Sequence, residues 1–98
     1  MQDNVPSLQD SRAELDEIDR RLVQVLAHRS EVIREVIRYK RANAMAVVDR
    51  DREDRMLAAI EQVAVSEGLD PRIARQVLRS VIDAFTLLEV EELGPDPS

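Results

Sequence analysis

Apolar residues at Leu15, Ile18, Leu22, Val25, Val32 and Val36 alternate three and four apart, interrupted only where Arg29 stands. That spacing predicts one long helix with a single packing stripe. "SRAE" at 11–14 has the capping-box form, and Pro6 and Ser7 offer an earlier start, so the helix begins between residues 7 and 12 and ends near Arg41 to Ala44. At 1.5 Å per residue it spans about 45 to 52 Å. A compact chain of 98 residues has a radius of gyration of only about 13 Å. The helix therefore overhangs its own chain, and a homodimer with two first helices packed along each other would cover the stripe.

A second helix is expected from about Arg50 to Glu67, with Met56, Leu57, Ile60, Val63 and Ala64 inward and Gly68 as its left-handed terminator. Asp70 and Pro71 then supply an N-cap and a first helical residue. The third helix would bury Ile73, Val77, Val81, Phe85 and Leu88 and end before "GPDPS". The fold class is thus all-α: three helices per chain, one long and two shorter. Aromatic residues at 2%, charged residues at 35% and two glycines agree with helices better than with sheets.

Composition removes whole classes of chemistry. Without cysteine there is no disulfide, thiolate nucleophile or zinc-thiolate site, and the single His28 builds no histidine metal cluster. A net charge of −6 argues against non-specific nucleic-acid binding, although "RYKRANA" at 38–44 is locally basic. No apolar run approaches the roughly 20 residues a bilayer needs, and "MQDNVPSLQD" lacks the order of a signal peptide. The expectation is a cytoplasmic protein with no membrane partner.

Charged residues nevertheless stand where apolar ones belong. Arg29 interrupts the first stripe, where a guanidinium costs several kcal/mol unless an anion meets it. Lys40 follows eleven residues on, within about 20° of the same face and about 16 Å along the axis. In "VVDRDREDR" at 47–55, Asp49 and Glu53 are one turn apart, Glu53 leads into the Met56, Leu57 and Ile60 stripe, and Arg52 lies on its edge. Val81 and Phe85 lead by fours to Glu89, another carboxyl on an inward stripe. Arg12, about 25 Å before Arg29 and about 42 Å before Lys40 on one helix, could join such a site only from a partner chain. Two long cations facing one interior suit a small dianion.

"SRAELDEIDRRLVQVLAHR", "YKRANAMAVVDRDRE", "GLDP" and the final helix together resemble the small all-helical chorismate mutases. The resemblance covers residues 10–91, with 1–9 an N-terminal extension and 92–98 a tail expected to be disordered by composition. It implies an intertwined helical homodimer that converts chorismate to prephenate by a [3,3] rearrangement, in aromatic amino-acid biosynthesis, with no metal and no cofactor. It further implies that Arg12 of the partner and Arg29 bind the substrate carboxylates and that Lys40 bridges a carboxylate and the ether oxygen. Glu53, with Asp49 close by, would take the C4 hydroxyl while Arg52 steadies the Asp49 loop. Lys40, Glu89 and Arg29 are the implied catalytic residues.

Two positions depart from the commonest pattern. Glu89 stands where glutamine is frequent, and a carboxylate cannot donate a hydrogen bond whereas a carboxylic acid can. Phe85 stands near a position where a small polar residue often meets a substrate carboxylate. Relatives acting on 4-amino-4-deoxychorismate, isochorismate pyruvate lyases, and a non-catalytic helical dimerisation module remain as alternatives. No fused regulatory domain is expected, so any control would need a protein partner that the sequence does not name.

Overall fold

The structure, a computed structural model, describes residues 5–94. Three helices follow in order, α1 (Leu8–Ala42), α2 (Arg50–Ser66) and α3 (Pro71–Leu93), with no strand among the described residues. The chain divides into two units, residues 1–32 and 33–98. Among the described residues, no helix is long and apolar enough to cross a membrane.

The first unit holds the greater part of α1. Of the two starts the sequence offers, the earlier is used: Ser7 Oγ accepts from the Asp10 amide at 3.0 Å and the Ser7 carbonyl accepts from the Ser11 amide at 3.0 Å. This N-cap puts the "SRAE" box inside the helix. The stripe is open in the single chain, with Leu15 56% and Val25 64% exposed and Ile18, Leu22 and Val32 near half.

The second unit holds the last turns of α1, the connecting loop, α2 and α3. Its core is Ile37, Val47, Leu57, Ala64, Ala74 and Ile82, with Ile37 the most deeply buried at 1% exposure. Ile37 lies about 80° round the helix from Arg29, beyond Ile33 and Lys40 at the edge of the stripe that dominates the sequence pattern. Glu53 pairs with Arg79 and Glu61 with Arg75, so α2 and α3 run antiparallel. Asp70 caps α3 through the Arg72 amide at 2.9 Å. Arg72 also grips the Asp70 carboxylate, 2.7 Å at its shortest, which holds the carboxyl below its usual range.

Two helix ends share one geometry. At the end of α2, Gly68 has φ +74°, Leu69 N donates to Ala64 O at 2.8 Å and Gly68 N to Val65 O at 3.3 Å. This Schellman ending satisfies the last carbonyls. At the end of α1, Met45 N donates to Lys40 O at 2.9 Å with Ala44 at φ +51°, a left-handed position filled by a residue carrying a Cβ.

Some expected burial is not met within the single chain. Val63 is 50% exposed, and Ile73 and Val77 are 52% and 49% exposed. On α3 the buried residues are Ala74, Ile82 and Glu89 instead, with Leu78, Val81 and Phe85 half-buried. A row stepped by fours drifts about 40° per step, so 73 and 77 lie off the face that packs while 81 and 85 come round to its edge. α3 also runs through Glu92 and Leu93, where the sequence suggested tail, while 95–98 lie outside the described residues.

Candidate active site

Lys40 is held from two directions. Its position near the end of α1 brings Nζ to Val47 O at 2.9 Å and to Glu89 Oε2 at 3.1 Å. The Lys40 and Glu89 side chains keep only 16% and 8% of their surface open. A charge withdrawn from water this far needs an opposite charge and directed hydrogen bonds, and Lys40 has both. An ammonium carries three donors; with two directed at fixed acceptors, the third has a set orientation. The loop between α1 and α2 supplies Val47 O, and the left-handed Ala44 turns the chain into that loop. The basic patch at 38–44 is partly consumed here, since Arg41 Nη2 also donates to Glu92 O at 2.9 Å.

Glu53 is the second buried carboxylate, 8% exposed in the first turn of α2. Arg79 Nη2 of α3 donates to its Oε1 at 2.8 Å, and Arg50 Nη1 lies 3.7 Å from the same oxygen. Arg79 Nε is closed off from solvent without a hydrogen-bond partner, with Asp83 Oδ1 4.0 Å away. Asp49 is the N-cap of α2: Oδ1 accepts from the Arg52 amide at 3.0 Å and its carbonyl from the Glu53 amide at 3.1 Å. Arg52 points to solvent, and Phe85 is half-buried one turn before Glu89.

Within the second unit, then, Lys40 and Glu89 are brought into contact, and Asp49 sits beside Arg52 and Glu53 in sequence and through the cap. Arg12 is exposed and Arg29 half-buried, both in the first unit. Two groups escaped the sequence reading. Val47 O is a main-chain atom and leaves no mark on a residue pattern. Arg79 is three residues from buried Ile82, about 60° round the helix, and reads as solvated. Spacing gives no signal for it either, since Glu53 and Glu61 are eight residues apart and Arg75 and Arg79 only four.

Comparison with known proteins bears on this arrangement. Residues 11–90 match the family model of chorismate mutase type II. The T-protein of Haemophilus influenzae is 33% identical over 73 residues, which make up 74% of this chain and 19% of that relative. The chain therefore spans about a fifth of the length of the curated relative it matches. The family match takes in the whole of α2 and nearly all of α1 and α3, including every charged residue placed above from Arg12 to Glu89. On that extent of match, the chain belongs to the chorismate mutase type II family.

Proposed function

We propose that this chain is a chorismate mutase, converting chorismate to prephenate in aromatic amino-acid biosynthesis. The observation that carries the reading is the Lys40 ammonium, part-buried and oriented by Val47 O and Glu89 Oε2, in a chain of this family. In the rearrangement the ether C–O bond breaks as a C–C bond forms, in one step within one molecule. No nucleophile, metal or cofactor is required. Negative charge gathers on the ether oxygen, and a donor fixed in advance at that point is worth about 3 to 4 kcal/mol. Lys40 fills this role, with Glu89 Oε2 holding the ammonium in place. Holding the extended substrate in its reactive shape supplies a further part of the rate.

In the same proposal Arg29 and a partner's Arg12 bind the two carboxylates, for which the planar guanidinium is well suited. Glu53 accepts from the C4 hydroxyl, Asp49 and Arg52 hold the entry to α2 beside it, and Phe85 packs the wall before Glu89. The working unit is a homodimer, supported by the open stripe from Leu15 to Val32 on α1, and its setting is cytoplasmic. Incubating purified protein with chorismate and following prephenate formation tests the assignment. Turnover in the wild type, reduced about 10²- to 10³-fold in Lys40→Ala, is expected; no turnover by the wild type refutes it.

A further inference from the structure

We propose that Arg79 sets the specificity of the site at C4, favouring a neutral hydroxyl over an ammonium by compensating the charge of Glu53. The inference rests on the assignment of Glu53 as acceptor of the C4 substituent. Glu53 is buried, and Arg79 Nη2 donates to its Oε1 at 2.8 Å with Arg50 Nη1 3.7 Å from that oxygen. Arg50 is 77% open at its side chain and is screened by water, whereas Arg79 is 37% open and spans from α3 to α2.

A lone carboxylate would attract an ammonium more strongly than a hydroxyl. A carboxylate already paired with a guanidinium presents little net charge, so a second cation beside it gains little and is repelled by the first. A hydroxyl needs only a lone pair, and a carboxylate with one oxygen engaged still has several. Asp83 lies 4.0 Å from Arg79 Nε, too far for a hydrogen bond, and is 66% open at its side chain, so it offsets little of the Arg79 charge.

Arg79 also differs from a plain inter-helix tie in that its partner Glu53 is only 11% open at its side chain. The neighbouring tie between α2 and α3, Arg75 to Glu61 at 2.6 Å, is open to solvent at both side chains, 55% and 34%. Arg75 therefore serves as the control for purely structural loss.

The experiment measures kcat/KM for chorismate and for 4-amino-4-deoxychorismate with wild type, Arg79→Met, Arg79→Gln, Arg79→Lys and Arg75→Gln. The wild type should prefer chorismate. Removing the Arg79 charge, by Met or by the polar Gln should Met disturb folding, should move the ratio toward the amine by about tenfold or more, the order expected for a half-open charge beside a buried one. Arg79→Lys should restore most of the preference, and Arg75→Gln should leave the ratio unchanged. An unaltered ratio in both neutral variants, with chorismate still turned over, overturns the role of Arg79 alone, as does a wild type that prefers the amine. Absence of turnover of either substrate by the wild type overturns the mutase assignment and this inference with it.

Discussion

The Lys40 ammonium meets the Glu89 carboxylate at 3.1 Å, joining the end of α1 to α3 across 49 positions of sequence. Because both side chains are mostly withdrawn from water, each stabilises the other chiefly by preventing an isolated buried charge. Lys40→Met should therefore cost about 3 kcal/mol, while Lys40→Met with Glu89→Leu should recover most of that loss. Urea unfolding at fixed protein concentration measures both. A double variant as unstable as the sum of its single changes would mean that the pair is not coupled.

Shared sites can be tested by mixing. Arg12→Ala and Arg29→Ala homodimers should each be nearly inactive. After subunit exchange about half the dimers are mixed and carry one intact site of two, so activity should return to about a quarter of wild type. No recovery after verified exchange would show that Arg12 does not act across the dimer.

At the start of α3, Arg72 holds the Asp70 carboxyl below its usual range. A carboxyl depressed in the folded state adds stability above its unfolded titration near about pH 4 and loses it as pH falls through the folded value. Asp70→Asn, which keeps a capping oxygen, should melt lower than wild type at pH 7, and the difference should shrink on acidification. Equal differences at pH 7 and pH 3 would assign the loss to the cap and not to the charge.

Ala44 at φ +51° occupies a conformation that costs an alanine about 1 to 2 kcal/mol. Glycine removes this cost but loses more chain entropy on folding. Ala44→Gly should therefore gain about 0.5 to 1 kcal/mol, measured by urea unfolding. A loss of stability would show that the turn relies on the alanine methyl for packing.

Residues whose type matches their local task were readable in advance. Gly68 ends α2 in the left-handed region, and Asp70 with Pro71 opens α3, as their side chains predict. The burial of Lys40 and Glu89 was legible because Lys40 returns to the face of Arg29 after eleven residues and Glu89 follows Phe85 by one turn. Ala44 was not, since alanine carries no turn signal, and its role comes from the hydrogen bond between Met45 and Lys40. Ile73 and Val77 were misplaced because spacing by fours suits several adjacent faces, and only packing against α2 selects one. Arg79 escaped for a related reason: its partner is 26 positions away, and nothing on α3 alone distinguishes it from Arg72 or Arg75.

One of the two groups that orient Lys40 is the peptide oxygen of Val47, and a peptide oxygen is present whatever side chain occupies the position. Substitution at residue 47 can loosen the packing but cannot delete the acceptor. The number of residues between Lys40 and Val47 is what must be kept, since adding or removing one would present a different carbonyl, in a different direction, to the ammonium. In this part of the chain, length is guarded more tightly than spelling.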